Sequence, residues 1–295
     1  MIYTITTNPS LDYHLSFDKE LNLNDQNRST LELFDAGGKG VNVSTFLDNL
    51  GIQSCCLGFL GGFTKDYYLE KLKGFKYIQP LFTTIKENTR INIKTDSNFS
   101  LNAKGPNITQ EEFEKFFLRI NRIYDTDYVV LSGNIQEELV DKILLLVESM
   151  SKLGVKIILD TDDVIIDNCL KFKPYLVKLN DHNSGLDENE IISKAKKYIE
   201  KGVKYVLYSS PINNNYYYIS EDTVFKANRI ENTTVSTGSG DSMIAGFLYS
   251  NLRGANKEES FKYAVACSCL LKIIDNTATR SDIDNAVKNI NIESI

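Results

Sequence analysis

Thr237-Gly238-Ser239-Gly240-Asp241-Ser242-Met243-Ile244-Ala245-Gly246-Phe247 reads as a glycine-rich turn running straight into an apolar helix. Such a turn leaves several backbone N–H groups unpaired at the helix start and aims them at one spot. Orphan donors and the helix dipole together attract an anion there. Asp241 places a carboxylate beside that spot. An anion cradle with a base next to it is what phosphoryl transfer to a hydroxyl requires.

Working outward, short apolar strands alternate with amphipathic helices. Ile2–Thr6, Ser54–Leu60, Tyr128–Leu131, Val155–Asp160, Leu176–Leu179 and Tyr205–Tyr208 read as strands. Val43, Phe46, Leu47 and Leu50 follow helical spacing, closed by Gly51; Leu139, Val140, Ile143, Leu144 and Val147 form a second stripe, closed by Gly154. Glu188–Lys201 is a third helix, Asp241–Leu252 a fourth and Ser260–Asp275 a fifth. Ser281 with Asp284 suggests a capping box for a last one. Triple Asn at 213–215 predicts a turn, and Tyr216–Tyr218 a strand after it. Continuous apolar strands interleaved with helices predict an α/β fold, a mostly parallel sheet covered on both faces. Tyr13–Phe34 and Leu81–Ala103 break the rhythm and are expected to form a small antiparallel excursion acting as a lid.

The chain has 295 residues and 42% hydrophobic content, enough for one large α/β domain or two smaller ones. Its net charge of −6 and lack of a long basic run argue against nucleic acid as a partner. No apolar run approaches the roughly 18 residues of a membrane span, and Met1–Ile5 does not resemble a secretory leader. A cytoplasmic location is expected. The five cysteines, Cys55, Cys56, Cys169, Cys267 and Cys269, lack zinc spacing and are expected to be buried free thiols. With only His14 and His182, a histidine metal site or a Ser-His-Asp hydrolase is disfavoured.

A second glycine cluster, Gly37-Gly38-Lys39-Gly40-Val41-Asn42, also opens a helix. Its glycines let a ligand approach the backbone, Lys39 offers a point charge to a phosphate, and Asn42 can bond a sugar hydroxyl. The spacing is not that of a Walker A loop. Read alone, it is equally a glycine turn with a solvated lysine, and Asp241 alone is equally ordinary helix-start chemistry. Together they make two anion-binding ends, suited to a donor nucleotide and a phosphorylated acceptor.

Over essentially its whole length the chain resembles the PfkB (ribokinase-like) carbohydrate kinases, and most nearly their 1-phosphofructokinase and tagatose-6-phosphate kinase branch. The matching motifs are Thr7-Asn8-Pro9-Ser10-Leu11-Asp12, Ala36–Val43, Thr89-Arg90-Ile91-Asn92 and Ser236–Gly246. The resemblance implies a ribokinase-like fold, one kinase domain over 1–295 with lid segments at about 13–34 and 81–103 inserted, and ATP with Mg2+ as cofactors. It implies that Asp12, Gly37, Gly38 and Asn42 hold the sugar. Lys39 and Arg90 would bind the phosphate it already carries, with Asn92 in support. Asp241 would be the base, and the amides of Gly238, Ser239 and Gly240 would stabilise the transferred group. Lys178, Asn180, Ser209, Ser210 and Asn213, with Gly238 and Gly240, would face the nucleotide. Lid strands of this kind imply a homodimer. No particular metal ligand is implied.

Several motifs depart from the family pattern, all on or near the nucleotide side. Lys178-Leu179-Asn180-Asp181-His182-Asn183 has Asn183 where a glutamate is usual, and Tyr208–Asn213 lacks the glycines of the usual nucleotide turn. Ser132-Gly133-Asn134-Ile135-Gln136 is altered, and Val235 stands where Asp or Asn is common. The expected activity is ATP-dependent phosphorylation of a ketohexose phosphate, fructose 1-phosphate to fructose 1,6-bisphosphate first. The alternatives are a tagatose-6-phosphate kinase, a catalytically weak sugar-phosphate sensor, or a kinase for an unphosphorylated sugar or nucleoside.

Overall fold

The computed structural model describes residues 1–22, 24–95, 99–120, 123–179, 186–210, 214–233, 237–273 and 278–295. The first half runs β1 (Ile2–Thr6), β2 (Ser10–Ser16), β3 (Leu31–Gly37), α1 (Lys39–Asn49), β4 (Ser54–Gly61), α2 (Gly62–Leu72), β5 (Ile78–Pro80), β6 (Thr83–Ile85), β7 (Arg90–Thr95), β8 (Ser100–Leu101), α3 (Gln110–Ile120) and β9 (Tyr128–Ser132). The second runs α4 (Val140–Lys152), β10 (Lys156–Asp160), α5 (Asp163–Cys169), β11 (Leu176–Leu179), α6 (Glu188–Glu200), β12 (Tyr205–Ser209), β13 (Asn215–Ile219), β14 (Val224–Asn228), α7 (Ser239–Leu252), α8 (Lys257–Leu270), α9 (Arg280–Asn289) and β15 (Glu293–Ser294).

The large sheet has the order β15-β14-β13-β12-β11-β10-β9-β1-β4-β5, with β6 also on β4. Every pairing from β12 across to β5 and β6 is parallel. β13, β14 and β15 close that edge antiparallel. Alternation along each strand divides the core in two. Val129, Leu131, Ile157 and Leu159 pack with Phe116, Ile143 and Ile191 on the α3–α6 face. Tyr128, Val130 and Ile158 pack with Phe46, Phe247 and Phe261 on the α1, α7 and α8 face. Strands buried on both sides need apolar residues at every position, which explains their unbroken hydrophobic runs.

α1 and α7, the helices of the two glycine-rich starts, therefore share one face of the sheet. Their N-termini meet the carboxyl ends of the parallel strands, where open α/β sheets place ligands.

The second sheet has the order β3-β2-β7-β8. It differs from the antiparallel excursion read in the sequence. β2 pairs antiparallel with β3, but β2 and β7 are parallel, with Asp12 opposite Asn92. The chain reaches β7 only after crossing through β4, α2, β5 and β6, so it returns in the direction it left. Thr83–Ile85, inside the expected lid segment, instead extends the large sheet against Phe59–Gly61.

Other boundaries move for local reasons. α7 begins at Ser239, two residues before the expected Asp241. α8 begins at Lys257, because the Asn256 side chain accepts from the Glu259 N–H at 2.9 Å and starts the helix there, and it ends at Leu270 rather than Asp275. The last capping box joins Thr279 and Asp282, not Ser281 and Asp284. The five cysteines are all free and buried. No helix among the described residues is long and apolar enough to cross a membrane.

Candidate active site

Gly238 has φ +86°, a left-handed conformation that suits glycine, and a Cβ there would stand 2.8 Å from Ile273 Cδ1. The N-cap residue, Gly238, has no side chain to cap the first turn of α7, which leaves its N–H groups suited to a ligand. Lys178, on β11, comes to the same turn: its Nζ lies 2.9 Å from where a Cβ on Gly240 would sit. A cation and a set of helix-start amides thus converge on one point.

Asp241 follows in that turn and is 4% exposed. Asn42, one turn into α1, donates from Nδ2 to Asp241 Oδ2 at 2.8 Å. Burial pushes the Asp241 carboxyl up to about 7, and the Asp160 charge adds to the rise; Lys39, the Asn42 hydrogen bond and Lys178 pull against it. Lys39 Nζ lies 3.2 Å from Asp160 Oδ1. Burial disfavours the Lys39 charge, but Asp160 and Asp241 outweigh that and hold its pKa above the ordinary value. The ammonium stays charged, between a fixed carboxylate and the candidate base.

The lid supplies the other wall. Asp12 Oδ1 accepts from Ser10 Oγ at 2.6 Å and from Asn92 Nδ2 at 3.0 Å. A Cβ on Gly37 would overlap the Asp12 carboxylate, so glycine is needed for this approach. Arg90 donates from Nη1 to the Ala103 carbonyl and from Nη2 to the Asn8 carbonyl, both at 2.9 Å. Burial draws its pKa below the ordinary value. The guanidinium is held as a fixed fork.

A cavity of about 650 Å³ joins these parts. Asp12, Gly37, Gly38, Lys39, Asn42, Arg90, Asn92, Gly238 and Asp241 all line it. The sugar-side residues read from the sequence are therefore together with the candidate base. Ser239 and Gly240 form the turn at its end. Lys178 reaches that turn from β11, and on the neighbouring strand β12 Ser209 is the last residue, with Ser210 just past it. Asn180 and Asn213 lie outside the described residues, as do Asn183 and Val235.

Sequence reading did not single out Asp160, 1% exposed at the carboxyl end of β10. A charged residue closing the apolar run Ile157-Ile158-Leu159 was the available signal. His14, Lys94 and Lys272 also line the cavity and carried no motif.

An α/β sheet with a small β lid, closing over a carboxylate, two cations and a helix start, defines a ribokinase-like sugar kinase. Residues 11–280 match the pfkB family of carbohydrate kinases, and the chain belongs to that family. It is 34% identical to the 1-phosphofructokinase of Borreliella burgdorferi, covering 100% of this chain and 99% of the relative. It is 30% identical to the D-tagatose-1-phosphate kinase of Bacillus licheniformis, over 99% of each. Phosphofructokinase-2 from Escherichia coli, solved in complex with substrates and products, has the same fold at a TM-score of 0.88 and 20% identity, over 98% of each chain. The protein is a phosphotransferase of the carbohydrate kinase class.

Proposed function

We propose that the protein transfers the γ-phosphoryl group of ATP to a ketohexose phosphate, with fructose 1-phosphate giving fructose 1,6-bisphosphate as the first substrate. The observation that carries this is the single cavity holding Asp241 with Lys39 and Asn42 at one end and Asp12, Arg90 and Asn92 along its lid wall. Full-length likeness to the Borreliella relative supports the choice of sugar. Tagatose phosphates are the second choice, on the strength of the Bacillus licheniformis relative.

Arg90 anchors the phosphate already on the sugar through the N–H groups its two carbonyl partners leave over. Asp12 and Asn42 orient the ring hydroxyls, with the approach kept open by Gly37 and Gly38, while Asn92, bonded to Asp12 and to the Ala103 N–H, supports the phosphate side. Asp241, deprotonated, takes the proton of the accepting hydroxyl, and Asn42 keeps its carboxylate turned to that hydroxyl. The amides of Gly238, Ser239 and Gly240, with Lys178, stabilise negative charge on the group in transfer. Lys39, set against Asp160 and beside Asp241, is assigned to that group as well, and not to the sugar's own phosphate as the family resemblance implies.

The residues present fit ATP, since the α7 turn with Lys178 is a cradle for an anionic oxygen. Among the described residues no group of three or more His, Cys, Asp and Glu could hold a metal. Mg2+ would be held chiefly by phosphate oxygens and water, as its chemistry favours. When bound, it would neutralise charge on the nucleotide phosphates. Five buried free thiols support a reducing, cytoplasmic setting. Exposed Leu31, Leu33, Ile91 and Leu101 on the lid support a homodimer that covers them.

The test is release of ADP from Mg·ATP across a panel of ketohexose mono-phosphates and free ketohexoses. Turnover of fructose 1-phosphate with the highest kcat/KM is expected. No turnover of any phosphorylated ketohexose would reject the reading, and equal activity on free fructose would reject the role of Arg90.

A further inference from the structure

Asn8 is 3% exposed and sits just past the end of β1, yet it touches the lid at two points far along the chain. Its Nδ2 donates to the Lys104 carbonyl at 2.8 Å. Its own carbonyl accepts from Arg90 Nη2 at 2.9 Å. The amide orientation is settled by chemistry, because only an NH2 group can face the Lys104 carbonyl. The lid segment Ala103–Gly105 is held at the same place from the other side. Ala103 donates its N–H to Asn92 Oδ1 at 3.1 Å and accepts from Arg90 Nη1 at 2.9 Å. Gly105 has φ +98°, and a Cβ there would overlap Asn8 Oδ1. Arg90 thus owes both of its carbonyl partners to one joint, and its buried Nε has no protein partner among the described residues.

We infer that Asn8 is the positioning residue for Arg90: it clamps the Ala103–Gly105 strap so that the guanidinium presents its remaining N–H groups to the sugar's phosphate. The inference rests on the functional reading above, in which Arg90 meets that phosphate. Asn8 also lines the cavity, but its action on Arg90 runs through the strap. Without the side chain, the Lys104 carbonyl loses its donor from Asn8 and nothing in that joint ties it to the end of β1, so the exposed strap is free to turn its carbonyls to water. Ala103 then leaves Arg90, and the fork loses one of its two fixed directions. A side chain that only stabilised the fold would weaken both substrates alike. A positioning residue for Arg90 weakens the sugar phosphate alone.

The experiment is a double-mutant cycle between Asn8→Ala and Arg90→Ala, read by steady-state kinetics and by calorimetry with fructose 1-phosphate. Asn8→Ala is expected to raise KM and Kd for fructose 1-phosphate about tenfold or more, with kcat and the KM for ATP changed by less than about threefold. In the Arg90→Ala background the same substitution is expected to change the Kd by less than about twofold. Gly105→Ala presses on the joint from the strap and is expected to give the same split, which decides the matter if Asn8→Ala fails to fold. Tenfold loss from Asn8→Ala persisting in the Arg90→Ala background would overturn the inference, as would a parallel rise in the KM for ATP. If the wild-type chain turns over no ketohexose phosphate, the functional reading fails. The cycle run on inorganic phosphate binding still decides the joint, and absence of coupling there overturns it.

Discussion

Asp241 carries two opposing demands. As the proposed base it must be charged to accept a proton, and it is buried next to another carboxylate, which favours the neutral form. Asn42, Lys39 and Lys178 offset that cost without removing it. The free enzyme's kcat/KM is therefore expected to fall about tenfold per pH unit below roughly 7, as the base becomes protonated. A profile that stays flat to pH 5.5 would reject Asp241 as the base. Asp241→Asn is expected to lower kcat by about a hundred- to ten-thousand-fold while sugar-phosphate binding survives, measured by turnover beside calorimetry. The same residue links stability to pH. Folded Asp241 holds its proton up to about 7, whereas an unfolded aspartate releases it near its ordinary value, so stability falls as pH rises between the two. Asp241→Asn is accordingly expected to melt higher than wild type at pH 8, with the difference shrinking toward pH 4.5. A constant difference across that range would count against the buried, raised carboxyl.

At the scale of elements, the site depends on how closely α7 can lie against α8. α7 is buried from Asp241 to Ser250 and α8 over most of its length, so neither has a solvent face along that stretch. Gly246 is the contact point. A Cβ there would overlap the Tyr263 carbonyl and stand 2.8 Å from Cys267 Sγ. Gly246→Ala gains about 1 kcal/mol of helix propensity at most, whereas overpacking costs about 1–3 kcal/mol. A lower melting temperature is expected, together with weaker catalysis, because the start of α7 shifts with the helix. A melting temperature equal to or above wild type would show that the two helices separate freely. The lid strands make a different demand. Exposed Leu31, Leu33, Ile91 and Leu101 leave apolar surface that a second copy would cover. Light scattering is expected to report a dimer, and Leu31→Lys with Leu101→Lys to shift it to monomer. A wild-type monomer at micromolar concentration would end that reading.

For the molecule as a whole, the cavity lies between the strand ends of the large sheet and the lid sheet, so ligands bridge two units. A sugar phosphate at about a hundred times its Kd is expected to add about 2.7 kcal/mol to the apparent stability. Thermal melts with fructose 1-phosphate, with free fructose and with neither check this; equal shifts from both sugars would contradict a phosphate-directed lid.

Much of this was legible in the chain. The glycine turn before Asp241, the alternation of apolar strands with helices, and the motifs around Asp12, Lys39 and Arg90 are local patterns, and local patterns report backbone geometry and family membership. The lid was read only coarsely, since the direction of β7 against β2 depends on the crossover between them. Asp160 escaped notice because its meaning lies in Lys39, 121 residues away, and in no nearby spacing. The sequence by itself determined the α/β architecture and the two glycine-rich helix starts, and it singled out the carboxylate proposed as the base. Only the tertiary structure decided that Asp160 sits against Lys39, that burial raises Asp241, and that Asn8 holds Arg90 and the lid strap together. Charge coupling and burial depend on which strand ends converge, and that convergence is a property of the packed sheet rather than of any segment in it.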